Sequence, residues 1–126
     1  MSRQLSRRAI AALAILAATM VLTACNGVSF VERILLVNET EYSANVDVRG
    51  EGGGWLGLGT VSANETREVG DVIDQGPTWT FRFSYGGHDP VEVTVGKQEL
   101  IEAGWRVEVP EELEENLRAE GVPPPP

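Results

Sequence analysis

Residues that could carry acid–base or nucleophilic chemistry are few in this sequence. His88 is the single histidine and stands beside Asp89 in a glycine-rich turn, where the pair could exchange protons with a substrate. Ser62 and Ser84 could act as nucleophiles, but neither lies in the Gly-x-Ser-x-Gly turn that presents a serine in hydrolases. A solvated loop histidine is the simpler interpretation. The sequence therefore predicts no catalytic residue and no enzyme.

Aspartates could instead bind a divalent cation. Asp71, Asp74 and Asp89 lie in or near predicted turns, and carboxylate oxygens are ligands that Ca²⁺ prefers. Their spacing does not fit the EF-hand loop, and one cysteine with one histidine cannot build a multi-cysteine or His-rich metal site. We therefore expect these carboxylates to be solvated. The sequence predicts no metal and no other cofactor.

The one cysteine, Cys25, follows a segment with the organisation of an export signal. The first 24 residues hold three arginines and no acid, and residues 9–22 form an almost uninterrupted apolar run. As a helix this run spans about 21 Å, short of the ~30 Å hydrocarbon core of a bilayer. This organisation is typical of a secretory signal peptide. Ser6-Arg7-Arg8 also resembles a twin-arginine signal, so the export route stays open.

The four residues that end at this cysteine, Leu22-Thr23-Ala24-Cys25, resemble the lipobox of bacterial lipoproteins. In that motif an aliphatic residue and two small residues precede the lipidated cysteine. The resemblance implies a diacylglyceryl thioether on Cys25, with palmitate-like fatty acids, and removal of residues 1–24. It also implies that the mature protein is anchored in the cell membrane, on the extracytoplasmic face, so that the membrane is one partner.

Charge excludes one class of partner. The whole chain has 10 basic and 19 acidic residues, a net charge of −9. Three of the basic residues lie in the predicted signal peptide, so 10 − 3 = 7 bases face 19 acids in the remainder, a net −12. Nucleic-acid binding depends on a basic surface that releases counterions from phosphates. The sequence therefore predicts no nucleic-acid partner.

The chain divides into four parts by composition. We expect a signal peptide, a short lipidated tether, one domain with a C-terminal helix, and a proline-rich tail in polyproline or irregular conformation. The corresponding ranges are 1–24, 25–32, 33–121 and 122–126.

Seven short segments have the pattern of β-strands, mostly with apolar and polar residues in alternation. The clearest places Trp79, Phe81, Phe83 and Tyr85 on one face, which we expect to dominate the core. The first two strands are expected to form an antiparallel hairpin. The predicted strands are residues 34–37, 42–49, 55–61, 66–73, 78–85, 91–95 and 105–109.

Two helices are expected late in the chain. Residues 97–103 form the first, with Gly104 in a left-handed position after it, so that Trp105 contacts Leu100. Residues 111–120 form the second.

The second helix has a narrow apolar stripe, Leu113 and Leu117, four residues apart. Gly121 ends it, and Val122 can contact Leu117 in the same capping arrangement. So narrow a stripe must dock on the domain or on a partner, because isolated helices of this length are marginal in water.

Two copies of the tripeptide Asn-Glu-Thr begin at Asn38 and Asn64 and match the N-glycosylation sequon. The lipobox implies a bacterial cell, so we interpret both copies as turns. Asparagine and threonine side chains satisfy backbone groups in such turns.

Alternating strands joined by turns predict a mainly β fold: an antiparallel, Ig-like β-sandwich of about seven strands with one short helix and a C-terminal helix. The mature part is similar to uncharacterised small exported β-sandwich lipoproteins, which implies a fold and no activity. The segments that carry this similarity are 36–40, 46–48, 58–61, 72–76, 79–85 and 104–107.

Four residues are candidate binding groups: Trp55, Arg82, His88 and Arg106. Trp55 stands beside the glycine loop at 50–54 and is either an exposed binding anchor or packed at the end of the sandwich. The two arginines either bind a partner or pair with Glu92, with Glu108 or with another neighbour across strands.

These features together predict a lipid-anchored extracytoplasmic binding or assembly module of the bacterial cell envelope, without catalysis. Its partner would be an envelope protein or glycan. The alternative is a small-ligand or ion-binding lipoprotein. A pocket between the two sheets would favour that alternative, and a filled core would count against it.

Overall fold

The computed structural model describes residues 28–126. The predicted signal peptide and Cys25 lie outside these residues. Among residues 28–126, no helix combines the length and apolarity needed to cross a membrane. The chain forms, in order, β1 (Phe30–Val37), β2 (Ala44–Arg49), β3 (Leu56–Val61), β4 (Thr66–Ile73), β5 (Thr78–Ser84), β6 (Val91–Gly96), α1 (Lys97–Glu102), β7 (Arg106–Glu108) and α2 (Glu111–Ala119).

The strands form two sheets that pack face to face. One sheet has three strands in the order β4-β1-β7, and the other has four in the order β3-β2-β5-β6. Their apolar faces enclose one continuous core, which Leu100 of α1 and two leucines of α2 complete. The predicted fold, a mainly β sandwich of about seven strands with a short helix and a C-terminal helix, is confirmed.

Strand pairing differs from the prediction at β1. The expected hairpin of β1 and β2 is wrong, because β1 pairs with β4 and β7, and β2 pairs with β3 and β5. The β1–β7 pair is parallel, with Leu35 opposite Arg106, so the sheet is not wholly antiparallel. The chain reaches β7 through α1, which comes from the other sheet. Such a crossover can deliver a strand in either direction, and residue alternation does not encode which.

A buried asparagine directs the chain from β1 into the other sheet. The Asn38 side-chain amide donates to the carbonyl oxygens of Tyr42 at 2.7 Å, Val61 at 3.3 Å and Ser62 at 3.2 Å. Its side-chain oxygen accepts from the backbone N–H and the hydroxyl of Thr40. These bonds hold the β1–β2 connection against the β3–β4 turn. The interpretation of this Asn-Glu-Thr copy as turn chemistry is confirmed.

The aromatic face of β5 lies at the centre of the core. Trp79, Phe81 and Phe83 are fully buried, and Tyr85 is half-buried against the same cluster. The Trp79 indole N–H donates to the Gly76 carbonyl oxygen at 2.9 Å, so this polar group has a hydrogen-bond partner although its side chain is fully buried. The predicted core face is confirmed.

Both helices end as predicted. Gly104 has a φ of +67°, and the Trp105 N–H donates to the Leu100 carbonyl oxygen at 2.8 Å. Gly121 has a φ of +77°, and the Val122 N–H donates to the Leu117 carbonyl oxygen at 3.0 Å. Glycine is favoured at such left-handed positions because it lacks a Cβ.

The helix α2 closes one end of the sandwich. Leu113 and Leu117 are fully buried there, and the Tyr42 hydroxyl donates to the Val122 carbonyl oxygen at 2.6 Å. Of the two docking sites that the sequence left open, the domain and a partner, the structure shows the domain. We call this the helix end; it comprises α2 and the loops at 38–43, 62–65 and 85–90. Val122 belongs to the domain rather than to the tail.

The opposite end is the tether end, where the described chain begins. Its elements are the start of β1, the loop at 50–54, the turn at 74–77, and α1. Phe30 opens β1 and pairs with Ile73, the last residue of β4. The prediction that the tether runs to residue 32 is therefore wrong, because residues 30–32 already belong to the sheet.

Candidate functional site

Two of the four predicted binding residues meet on the outer face of the four-stranded sheet. The Arg82 guanidinium carbon lies 4.1 Å from the centre of the Trp55 ring, and that of Arg49 lies 4.5 Å from it. Arg82 also forms an ion pair with Asp47, with 3.3 Å between Nη2 and Oδ2. All four side chains are half-buried. We call Asp47, Arg49, Trp55 and Arg82 the Trp55 cluster.

Strand register explains why these residues meet. Asp47 is directly opposite Arg82 in the β2–β5 pair, and Arg49 is opposite Thr80. Directly opposite side chains share a face, and residues two apart on one strand point the same way. On the other side of β2, Asp47 faces Gly57 of β3, so no side chain fills that position. Trp55, just before β3, reaches this space.

The electrostatics of the Trp55 cluster differ from those of the rest of the domain. Its two guanidinium groups outnumber its one carboxylate, whereas the chain as a whole carries a net charge of −9. Guanidinium–aromatic contacts contribute about 0.5–1 kcal/mol each at partly exposed sites. Arginine donors that stay accessible can form paired hydrogen bonds with a carboxylate or a phosphate. The arrangement is therefore suited to binding an anionic group.

Trp55 is neither a fully exposed binding anchor nor packed into the end of the sandwich. It does not belong to the core cluster of buried residues, and it is not freely exposed. It packs on the outside of the sheet against Arg49 and Arg82. The expectation that Arg82 pairs with an acid on a neighbouring strand is confirmed, with Asp47 as the partner rather than Glu92.

His88 lies at the helix end, away from the Trp55 cluster. Its ring stacks on Tyr85, with 6.1 Å between ring centres, and its Nδ1 lies 3.2 Å from a carboxylate oxygen of Glu120. The expected solvent-accessible loop position is found, because about a third of the side chain is exposed. The imidazole therefore ties the β5–β6 loop to the end of α2.

Arg106 lies apart from both places, at the start of β7 in the three-stranded sheet. Its Nε is 3.4 Å from a carboxylate oxygen of Glu108, one of the partners that the sequence suggested. Both side chains are about half or more exposed. Such a pair contributes well below about 1 kcal/mol. Arg106 thus shares no site with the other three candidates.

The three aspartates that could have bound Ca²⁺ do not come together. Asp71 and Asp74 lie at the tether end, and Asp89 lies at the helix end. Asp74 is occupied by Lys97, which donates to its carboxylate, and by the Gly76 N–H at 2.9 Å. Across the described residues 28–126, no group of three or more metal-ligating side chains is arranged to hold an ion.

The pKa of the Asp74 carboxyl is shifted by its surroundings. Burial raises the pKa of its carboxyl, but the hydrogen bond from Lys97, the Gly76 N–H and the Lys97 charge together outweigh it. The net result is a pKa below the ordinary value of 3.8. The carboxylate is thus held in its charged form as a structural link between the 74–77 turn and α1.

Arg49 is the member of the Trp55 cluster that the sequence did not single out. It alternates with apolar residues on β2, so its outward direction was predictable. Its position beside Arg82 depends on the pairing of β2 with β5. The expected pairing of β2 with β1 would have placed Arg49 on a different neighbour.

Comparisons with known proteins return no relative. No protein-family model matches the chain, and neither curated proteins nor solved structures show detectable similarity to it.

Proposed function

We propose that this protein is a lipid-anchored binding module on the extracytoplasmic side of a bacterial membrane, and that the Trp55 cluster binds its partner. The observation that carries binding is the pair of guanidinium groups over one half-buried indole ring, in a domain that is otherwise acidic. The observation behind anchoring is the lipobox Leu22-Thr23-Ala24-Cys25.

The chemistry of the Trp55 cluster favours an anionic partner. Arginine and tryptophan are the residue types most enriched at energetically important contacts. One guanidinium is neutralised by Asp47, so the four residues keep one net positive charge, with Glu92 on β6 opposite Arg82 as a further acid on the same face. A carboxylate on an envelope protein, or an acidic group on an envelope glycan, would complete it. The acidic remainder of the domain disfavours other anionic contacts through like-charge repulsion.

A filled core supports binding at the surface rather than between the sheets. Trp79, Phe81 and Phe83 occupy the interior, and no buried side-chain polar atom within residues 28–126 lacks a hydrogen-bond partner. One groove, between β6 and β7, reaches the core residues and has a volume of ≈ 240 Å³. Small-molecule pockets usually measure about 300–1,000 Å³. A small ligand held between the sheets therefore has less support, although two larger clefts, of ≈ 390 Å³ and ≈ 630 Å³, lie at the tether end and at the helix end.

Crosslinking in intact membranes tests the binding surface. We expect a crosslinked partner to be recovered with the wild-type chain and to be lost, or strongly reduced, with the double variant Arg49→Gln and Arg82→Gln. Arg106→Gln is the matched control, because it removes an exposed arginine from the other sheet. Equal recovery from all three chains, with equal melting temperatures, would contradict the assignment of the Trp55 cluster.

Fatty-acid labelling tests the anchor separately. The Cys25→Ser chain should incorporate no labelled palmitate and should keep residues 1–24, because the sulfur is the atom that is acylated. Acylation and cleavage that persist in this variant would overturn the lipobox assignment without affecting the binding surface.

A further inference from the structure

We propose that the tether end of the domain rests on the lipid bilayer through an apolar patch. The patch consists of Val28, Phe30, Ile73 and Ile101, and we call it the end patch. This inference rests on the proposed lipid anchor and adds an orientation to it: the domain does not hang freely from its tether, and one end contacts lipid.

Exposed apolar side chains are concentrated at this end. Five large apolar side chains are exposed within residues 28–126, and four of them form the end patch. Phe30 is 58% exposed, Ile73 is 44% exposed and Ile101 is 46% exposed. Single exposed apolar residues are ordinary, but a group at one end points to a contact surface.

The members of the end patch are neighbours in the fold. Phe30 and Ile73 are directly opposite in the β1–β4 pair, so their side chains share the outer face of the three-stranded sheet. Val28 precedes Phe30 by two residues. The strand pairing continues to Ser29, whose carbonyl oxygen accepts a hydrogen bond from the backbone N–H of Asp74. Ile101 of α1 lines the same cleft as Phe30, which has a volume of ≈ 390 Å³.

The length of the tether places the end patch at the membrane. Three residue steps separate Cys25 from Val28 and five separate it from Phe30. A fully extended chain covers at most about 3.6 Å per residue, so Phe30 lies within about 18 Å of an acylated Cys25. Bilayer headgroup regions and their boundary with the acyl chains extend over a comparable distance, and apolar side chains are stabilised in that boundary.

The charge distribution gives the same orientation. A cleft at the helix end is lined by five glutamates: Glu39, Glu108, Glu111, Glu114 and Glu115. At the tether end, the cleft beside Phe30 has two basic and two acidic side chains: Arg33, Lys97, Glu32 and Asp74. This end also carries Glu51, Glu99 and Glu102, so it is acidic too, but less densely than the helix end. Phosphate groups of lipids repel carboxylates within a Debye length of about 8 Å at physiological salt. The more acidic end is therefore favoured away from the bilayer.

Cysteine labelling of the acylated chain tests this inference. Acylation consumes the thiol of Cys25, the only native cysteine, so an introduced cysteine is the single free thiol. Phe30→Cys, Ile101→Cys and the control Val93→Cys would be purified with their lipid and reconstituted into vesicles of phosphatidylethanolamine and phosphatidylglycerol. Val93 is the exposed apolar residue that lies outside the end patch. All three would be treated with a membrane-impermeant maleimide, before and after solubilisation in detergent.

We expect the thiols at Phe30 and Ile101 to react several-fold more slowly in vesicles than in detergent, relative to the thiol at Val93. A ratio equal to that of the control, in chains that carry labelled palmitate, would overturn the lipid contact and leave the anchor intact. Slow reaction in both vesicles and detergent would also overturn it, since protein rather than lipid would then cover the patch. Chains without palmitate would refute anchor and contact together.

Discussion

The two ends of the sandwich differ in how the apolar core between the sheets is covered. At the helix end, α2 covers the open core with Leu113 and Leu117, and a fully buried asparagine joins the loops beneath it. At the tether end the shorter helix α1 adds only Leu100 to the core, and the end patch stays exposed. The polar link there, Asp74 with Lys97, is partly accessible to water.

This difference shows that the domain covers its core with its own residues at the helix end, but leaves apolar side chains exposed at the tether end. An amphipathic helix at one end satisfies apolar surface internally, whereas an exposed apolar end gains stability only when something else covers it. Substitutions at the helix end should therefore reduce the stability of the isolated domain. Substitutions of the exposed end-patch residues at the tether end should leave that stability nearly unchanged.

The largest contrast is expected between two apolar residues replaced by aspartate. Leu117→Asp should cost at least about 4 kcal/mol of unfolding free energy, because it places an unpaired carboxylate where a fully buried side chain stood. Ile101→Asp, on α1, should change it by no more than about 0.5 kcal/mol. Urea unfolding of both variants measures this contrast. Similar losses would mean that the tether end is covered in the domain itself.

A smaller but clear loss is expected at Asn38. Asn38→Ala removes the donor to three carbonyl oxygens and the acceptor for Thr40, which should cost about 2–3 kcal/mol. Asn116→Ala provides the matched control, because Asn116 is exposed on α2. Thermal and urea unfolding would show the difference. No loss in the Asn38 variant would refute its role in closing the helix end.

A pH-dependent loss is expected at the tether end. Because the folded-state pKa of Asp74 lies below the ordinary 3.8, its charged form stabilises the domain above pH 3.8 and loses this effect as the pH falls through the lowered folded value. Asp74→Asn should therefore destabilise the domain by less than about 1 kcal/mol near neutral pH, and by progressively less below 3.8. A difference that grows in acid would reverse the assigned sign.

The smallest effect concerns the tail. Deletion of residues 123–126 should leave the melting temperature unchanged, because these prolines are exposed and follow the last capping contact. Deletion of residues 122–126 should lower it, because Val122 accepts the Tyr42 hydroxyl hydrogen bond and packs on the core. Equal melting temperatures for the two truncations would show that Val122 does not stabilise the helix end.

Features with a local period were predictable from the sequence. The buried face of Trp79 and Phe81 follows from alternation, and the docking of Leu117 follows from its spacing in a short helix. The glycine caps at Gly104 and Gly121 follow from the need for a left-handed residue after a helix. Each of these features depends on residues that are close in sequence, within one strand or within two turns of a helix.

Features that depend on strand pairing were not predictable. Alternation fixed that Arg49 and Arg82 point outward, but their meeting over Trp55 requires that β2 pair with β5. The parallel entry of β7 beside β1 is equally non-local. Several strand orders would bury the same apolar faces, so the choice of neighbours depends on contacts between distant residues, such as those of Asn38.

The position of β1 also sets the order in which the domain can fold. β1 is the central strand of its sheet, and its two neighbours come later in the chain, with Arg106 opposite Leu35 more than half the chain length away. Loops of that length close slowly, so such topologies fold on a scale of milliseconds to seconds. A chain that emerges N-terminus first thus exposes β1 without β4 until about the middle of synthesis, and without β7 until synthesis is nearly finished. The export that the lipobox proposal implies would therefore have time to begin before the three-stranded sheet is complete.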